Sequence, residues 1–478
     1  MTSTTTPDSG RKKAAERRPD LDSLFSVNPD GSHNVIHTAD VHGRFQVRKR
    51  LVWTLLVLVY LAFPWIEING HPAVLIDIAH RNFYLFGKTF NSQDFPLAFF
   101  YLSGIGFSLI VLSAIYGRVW CGYACPQTVF LDGLFRRIER LVEGNATQRK
   151  KLQQMPWNLQ KVARRGTKLV LFALSAVLIA HTFLSYFIPV TELRTAITHS
   201  PSAHPFAFGF MLVFSLAVFV NFTWFREQLC LIICPYGRLQ GILADRDTVV
   251  VGYDKKRGDP RGKPSAASSL SPGEKLGDCV DCLRCVHVCP TGIDIRNGTQ
   301  FECIGCANCI DACDEVMTKV GKPTGLVRYD SLRGFETGKR QFIRPRIWLY
   351  AAFMLLGVIV FLVMASRRVS FEANLIRAST PFSIENGFIT NQVYLHVFNK
   401  QAEAKLFRIE TESPEGAEFV VATRELKLAG LEDQRVPVFV RLSAEKFKAG
   451  MTIQLLVHGD TEDRSAEIKF VGPGTFPK

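Results

Sequence analysis

The sequence predicts a multi-domain membrane protein: an α-helical transmembrane bundle, a small cysteine-rich domain and a C-terminal all-β sandwich. Three observations predict this. The chain of 478 residues is 47% hydrophobic, too apolar for an ordinary soluble protein, and it holds five apolar runs of about 20 residues, the length that crosses a bilayer. Eight of its twelve cysteines crowd into residues 279–313. Beyond residue 391, short runs alternate apolar and polar side chains between turn residues, the pattern of strands with one buried face.

Residues 1–46 are polar and basic, with no apolar stretch before Leu51 and no small-residue cleavage site after it. They are expected to be a cytoplasmic tail and not a cleaved signal. The region 47–246 holds four of the five expected spans, near 51–66, 96–117, 168–190 and 205–225; the fifth lies at 345–368. Burial of all five in a soluble core is the bland alternative, and five such runs seldom coexist there. Charge sets the direction. The net charge is +14, but residues 118–167 carry ten Lys and Arg where the loops 67–94 and 191–204 carry two and one. Cytoplasmic loops collect such residues, so 118–167 and the N-terminus are expected in the cytoplasm, with the lipid bilayer and no nucleic acid as the basic partner. The fifth span then exports 369–478, which has 13 basic and 15 acidic residues. Arg367 and Arg368, just past that span, run against the rule.

All twelve cysteines precede Arg367, so no disulfide framework is expected outside. Residues 247–278 include KKRGDPRGKPSAASSLSPGEK and read as a flexible linker into a domain at 279–320. There, CVDCLRCVHVCP and CIGCANCIDACD both follow Cys-x-x-Cys-x-x-Cys-x-x-x-Cys. A cubane needs four thiolates, three from a tight turn and one from a distance, and in two-cluster ferredoxins each fourth cysteine serves the other cluster. The spacing assigns Cys279, Cys282, Cys285 and Cys313 to one [4Fe-4S] cluster and Cys303, Cys306, Cys309 and Cys289 to a second, in a ferredoxin-like domain. Zinc sites use pairs split by longer inserts, and disulfides do not suit the cytoplasm. The second copy has Asp314 where the pattern expects proline, which leaves the ligands untouched. His287 reads as a surface side chain.

Two further motifs, WCGYACPQ and LCLIICPYG, place Cys-x-x-x-Cys-Pro after the second and fourth runs. If those helices continue a turn, Cys121 and Cys125, like Cys230 and Cys234, share one face at i and i+4. Pro126 and Pro235 then bend or end the helix. The two copies look like an internal repeat, and packed about a pseudo-twofold their four thiols would converge. After the first copy, VFLDGLFRRIERLVEG is expected to lie along the interface with Arg136, Arg137 and Arg140 toward headgroups. Three chemistries are open for the four thiols: a soft-metal site, an additional iron–sulfur centre, or a dithiol relay. Small cysteines in helix packing are the bland reading.

The run GRVWCGYACPQTVF, ICPYGRLQ, the array GDCVDCLRCVHVCPTGIDIRNGTQFECIGCANCIDACDEVM and the loop PWIEINGHPAVLIDIAHRNFYLFGKTFNSQDF resemble the CcoG (FixG/RdxA) family of cytochrome c oxidase accessory proteins, membrane polyferredoxins. The likeness runs from about residue 34 to the C-terminus. It implies a multi-pass protein of the bacterial inner membrane, with clusters cytoplasmic and the last domain periplasmic. That protein would be an oxidoreductase, a cupric reductase that turns Cu(II) into Cu(I) for assembly of a cbb3-type oxidase. The family's Cys-x-x-x-Cys-Pro motifs match Cys121, Cys125, Cys230 and Cys234, the candidate catalytic thiols and copper ligands. Partners implied are copper ions, a cytoplasmic or quinol electron donor, and copper chaperones or oxidase assembly factors at the periplasmic domain; a homodimer is left open.

The runs NQVYLHVFN, AKLFRIETE, EFVVATRELKL, RVPVFVRLS, MTIQLLVHG and AEIKFVGPG are read as strands of an immunoglobulin-like sandwich within 369–478, with a docking role. His71, His80, His199 and His204 fall on the outer loops and His181 within a span; each is a weak metal candidate, and His181 the most suspect because polar residues in spans are usually functional. No Cys-x-x-Cys-His attaches a haem, and no nucleotide fingerprint points to NAD(P)H. The competing functions are a quinol-linked electron conduit and a redox sensor or scaffold.

Overall fold

The computed structural model describes residues 35–68, 71–78, 82–90, 94–263, 275–342, 344–380, 382–401, 403–414, 416–448, 450–460 and 462–473. It divides into two compact units, one of residues 1–66 and 101–358, the other of 67–100 and 359–478. Most of the expected tail, the middle of the expected linker and His80 lie outside the described residues.

Five long helices form where the apolar runs lie: α1 (Arg44–Ala62), α2 (Phe95–Tyr116), α3 (Leu159–Leu184), α4 (Pro205–Val220) and α5 (Pro345–Ser366). Proline opens three of them within the first turn, where its missing N–H costs nothing. Asn158 caps α3 by accepting from the Lys161 N–H at 2.8 Å. Gly117, at φ +55°, stops α2. Four of the five, α2 to α5, with α4 running on to Phe225, are long and apolar enough to cross a membrane. The run near 51–66 is not. Arg44, Arg48, Lys49 and Arg50 occupy the first two turns of α1, and Pro64 closes it in a short 3-10 turn. Along α5 no side chain is buried; Phe353 stacks on Phe107 of α2 at 6.3 Å and Met354 accepts from Ser108 at 3.5 Å.

Within the first unit, α3 packs on α4 through Phe183 stacked on Phe214 at 4.6 Å. Tyr60 of α1 donates to the Ile179 carbonyl at 2.7 Å, and Tyr186 donates back to the Tyr60 carbonyl at 2.9 Å. The cysteine-rich domain sits on a two-stranded antiparallel ribbon, Val250–Tyr253 against Val327–Asp330. The linker expected at 247–278 is therefore wrong for its first part. Val251 and Tyr253 are buried in the core of the cysteine domain, and Arg257 after them bonds Asp278 at 2.6 Å and the Thr324 carbonyl at 2.9 Å.

The second unit contains the sandwich. One sheet runs in the order 418–421, 433–443, 388–399, 371–377; the other 425–428, 405–413, 452–458, 463–469. Alternate residues Ile389, Val393, Leu395 and Val397 meet Val438, Val440, Leu455 and Val457 in the core. EFVVATRELKL, expected as one strand, is two. The chain crosses between sheets after Val421, so that Glu418–Val421 pairs with 433–443 and Glu425–Leu428 with 405–413. Arg368 accounts for its place against the charge rule: it pairs with Asp94 at 3.0 Å and lies 4.8 Å over the Phe90 ring.

Leu395 is fully buried and Val420 half exposed. Leu395→Ala should destabilise the sandwich by about 2–5 kcal/mol and Val420→Ala by under about 0.5, read as the proteolysis midpoint of residues 369–478 in the detergent-solubilised full chain.

Candidate electron-transfer site

In each array copy the first three cysteines lie on a loop with two residues of positive φ at equivalent places. These are Asp281 (+52°) and Leu283 (+56°) in one copy, Gly305 (+66°) and Ala307 (+61°) in the other. A left-handed backbone is unfavourable for Asp, Leu and Ala, and alternating it turns successive N–H groups to one side, a nest that suits an anion. One hollow is walled by Cys279, Cys282, Cys285 and Cys313. A second is walled by Cys289, Cys303, Cys306 and Cys309, with Cys285 at its edge. Burial pushes the Cys303 and Cys313 thiols up to about 12. Free thiols there hold their protons, and a bound cluster must displace them. Eight cysteines walling two apolar hollows, four to each, fit two [4Fe-4S] clusters. Asp314, standing where proline was expected, accepts from the Gly325 N–H at 2.8 Å and fixes the turn after its helix. His287 is exposed.

The two Cys-x-x-x-Cys-Pro motifs share one local fold, and it is not the continuous helix expected. Cys121 lies in the short helix Val119–Tyr123 and Cys230 in the π-helical turn Leu229–Ile233. Cys125 and Cys234 are extended and begin new helices with Pro126 and Pro235 at the first position. The proline ring forbids helical backbone to the residue before it, so each motif splits at its second cysteine. The pairs are thus not stacked at i and i+4.

The copies grip each other reciprocally. Gln127, just past the first motif, exchanges hydrogen bonds with Asn221, nine residues before Cys230, at 2.8 and 3.3 Å. Gln240, just past the second, accepts from the Cys121 thiol at 3.5 Å and donates to Ser113 at 3.1 Å. Burial raises the Cys230 thiol to about 12, with Cys125, Cys121 and Cys234 adding to the effect and Arg118 opposing it. Burial likewise raises Cys121, against the pull of Arg118 and with Cys125 and Cys234 adding. Cys125 and Cys234 thus each act electrostatically on both Cys121 and Cys230. Arg118 donates to the Phe301 carbonyl at 2.6 Å and the Cys230 carbonyl at 3.5 Å.

Motif and array meet at a glycine. A Cβ on Gly122 would lie 2.8 Å from the Cys306 Cα and 2.8 Å from the Ile304 carbonyl oxygen, so only glycine lets the motif backbone sit on the cluster loop. Cys121, Ile304 and Cys306 share one apolar cluster.

A buried charge lattice sets this geometry, and its inward turn was not legible in sequence. Arg136 was expected to face headgroups. Its side chain is instead 9% exposed, bonded to Asp132 at 2.5 Å, Glu227 at 3.1 Å and the Pro290 carbonyl at 3.2 Å. Arg226 grips Glu139 with both Nη atoms at 2.9 and 3.1 Å, and Arg149 adds 3.2 Å. Arg137 and Arg140 are exposed, and Arg140 pairs with Asp40 at 3.2 Å. Of the histidines, His71 stacks on Tyr84 at 4.3 Å, His181 bonds the Val177 carbonyl of its own helix, and His199 bonds the Thr195 carbonyl and meets His204 edge-on.

Two outcomes follow from these contacts. Burial alone would raise the Glu139 carboxyl, but Arg226, Lys168 and Arg149 outweigh it and hold it below its usual value. Its stabilisation is full above the unfolded value of about 4.3 and is lost as pH falls through the lower folded value. Glu139→Gln, which leaves two buried guanidiniums short of a partner, should cost about 3–5 kcal/mol at neutral pH. The gap to wild type in thermal unfolding should narrow below about pH 4. Gly122→Val should displace the Cys306 loop and lower iron content or broaden the cluster EPR signal, while Gly104→Val, on open helix surface, should leave both unchanged.

Residues 225–332 match the family described as a 4Fe-4S dicluster domain, 97–144 a 4Fe-4S binding domain, and 361–473 the immunoglobulin-like fold at the C-terminus of FixG. The chain is 36% identical to protein RdxA of Cereibacter sphaeroides over 402 residues, 80% of this chain and 83% of that one. It is 39% identical to nitrogen fixation protein FixG of Rhizobium meliloti over 338 residues, 68% of this chain and 63% of that one. Ferredoxin-type protein NapH of Escherichia coli is 22% identical over 292 residues, 57% of this chain and 87% of that one. With four membrane-length helices, paired cysteine arrays and relatives this similar, the chain belongs to the RdxA/FixG family of membrane iron–sulfur electron-transfer proteins.

Proposed function

We propose that this protein is a cupric reductase, passing single electrons from its cysteine arrays to Cu(II) and yielding Cu(I) for the assembly of a cbb3-type cytochrome c oxidase. The observation that carries the reading is the seat of Gly122 on the Cys306 loop, which puts the Cys121 motif against an array ligand. In this reading Cys279, Cys282, Cys285 and Cys313 hold one cluster and Cys303, Cys306, Cys309 and Cys289 the other. When bound, these groups supply one-electron carriers, matched to the one electron that separates Cu(II) from Cu(I). The chain's own part is to hold and insulate. Val251, Ile295, Ala307 and Ile310 are buried around the hollows and keep water from the sulfurs. Arg118 lies among Cys121, Cys230 and Cys303 and stabilises negative charge on any of them. Soft sulfur ligands retain Cu(I) over Cu(II).

The topology we assign has five spans, with α1 as the short first one, the arrays in the cytoplasm and the sandwich in the periplasm. There the sandwich would dock copper chaperones or assembly factors. One observation favours a second reading, electron entry from a quinol. A cavity of about 340 Å³, mostly apolar, lies beside Cys303 at the end of α2, with Tyr116, Arg118, Gln240, Phe301 and Tyr329 in its walls.

In the anaerobic, dithionite-reduced full-length protein, each equivalent of added Cu(II) should restore cluster absorbance and yield one Cu(I), trapped by a chelator. Cys121→Ser with Cys230→Ser should slow this at least about tenfold, a barrier rise of about 1.4 kcal/mol. Equal rates in both would mean copper takes electrons without these thiols, and the quinol reading would lead.

A further inference from the structure

We propose that the cavity between the start of α1 and the helix Arg136–Glu143 binds a phosphate group, carried by an anionic lipid headgroup or by a small soluble phosphate. The proposal stands apart from the copper reading and from the four motif thiols. The cavity holds about 330 Å³, in the range of small-ligand sites. Among the described residues its walls include five arginines, Arg50, Arg136, Arg137, Arg140 and Arg149, against two carboxylates, Asp40 and Asp132. Three of the arginines have partners: Arg136 pairs with Asp132 and Glu227, Arg140 with Asp40, and Arg149 with Glu139. Both wall carboxylates are thereby committed. Arg50 and Arg137 are the surplus.

Those two cations are exposed at the rim of the cavity. Partial burial, and then repulsion from Arg50, lower the Arg137 guanidinium from its ordinary value, and no carboxylate offsets them. Like charges held side by side are unfavourable until an anion lies between them. A carboxylate suits one guanidinium, whereas a phosphate spreads its charge over several oxygens and can engage two forks at once. Within the wall, Trp53 is 3% exposed and its Nε1 has no partner among the described residues; Arg149 is 5% exposed and its Nε has none either. Buried donors left unpaired are costly, and an oxygen-rich occupant is the kind of group that satisfies them. The surroundings admit a lipid. Val47, Leu51, Leu55 and Leu58 stand exposed along one side of α1, three or four residues apart and next to Arg50. An acyl chain lying there leaves its headgroup at the cavity.

The test titrates full-length protein, purified in detergent and stripped of lipid, with phosphatidylglycerol and counts bound lipid by native mass spectrometry. Glycerol phosphate serves as the competitor. Wild type should retain phosphatidylglycerol, and Arg50→Gln with Arg137→Gln should weaken its binding at least about tenfold. The charge-matched control, Lys150→Gln with Lys151→Gln, removes two exposed cations outside the cavity and should change binding by less than about twofold. Displacement of the lipid by glycerol phosphate supports the site with a soluble phosphate as its source; lipid that resists displacement supports it with a headgroup as its source. Failure of wild type to bind either probe, or equal weakening in both variants, overturns the proposal. Arg50 and Arg137 lie outside the buried charge lattice, and unchanged iron content shows that their variant folds. Should iron fall, Arg50→Gln alone reads the same contact. The cluster ligands are untouched by these substitutions, so an overturned phosphate site leaves electron transfer through the arrays standing.

Discussion

The buried lattice of Glu139, Arg226, Arg149, Arg136 and Glu227 is the constraint on which the site depends. It joins the stretch after the first Cys-x-x-x-Cys-Pro motif to the residues just before the second, and through the Pro290 carbonyl it reaches the cysteine domain. Charges so far from water are costly unless each finds its counterpart. The arrangement seen gives each of the five charges at least one opposite partner. Register between the motifs is therefore set by electrostatics, where apolar helix packing alone would let the halves slide. Arg226 adopts φ +50° to take part, a strained backbone that the bidentate grip on Glu139 offsets.

A second tie works from the other side. Asp311, on the helix that follows the second array loop, accepts from the Phe45 and Gln46 N–H groups at 3.2 and 2.8 Å and so caps α1. Gly43 makes room for it: a Cβ there would lie 2.3 Å from the Asp311 Cγ. The cysteine domain is thus held by α1, by the charge lattice and by the Gly122 seat. Three attachments of different chemistry fix the Cys306 loop against Cys121, the contact an electron path between motif and array requires.

Much of this was legible in sequence, and the errors are instructive. Array spacing is a local property: Cys-x-x-Cys-x-x-Cys fixes a loop, and the loop needs the positive φ found at Asp281, Leu283, Gly305 and Ala307. Apolar length likewise locates four membrane-length helices. Arg136 misled because amphipathic patterning shows that a stripe of arginines exists but not what it faces; Glu227, its partner, lies 91 residues away. The i, i+4 reading of the motifs failed for a reason the sequence did contain, since proline restricts the residue before it and places Cys125 and Cys234 outside helix. The single strand expected at 418–428 failed because alternation is the same on both sheets and does not mark where a chain crosses.

The sequence by itself determined the parts: membrane-length helices, a doubled ferredoxin-type array, a β-rich C-terminal region and two proline-broken cysteine motifs. Each follows from the residues within one element, through apolar length, ligand spacing or side-chain alternation. Tertiary structure alone decided that the two motifs face each other, that Gly122 seats one of them on the Cys306 loop, and that Arg118 lies among Cys121, Cys230 and Cys303. These depend on pairings between residues more than 80 positions apart, such as Glu139 with Arg226, and no local pattern encodes which distant charge will neutralise a buried one.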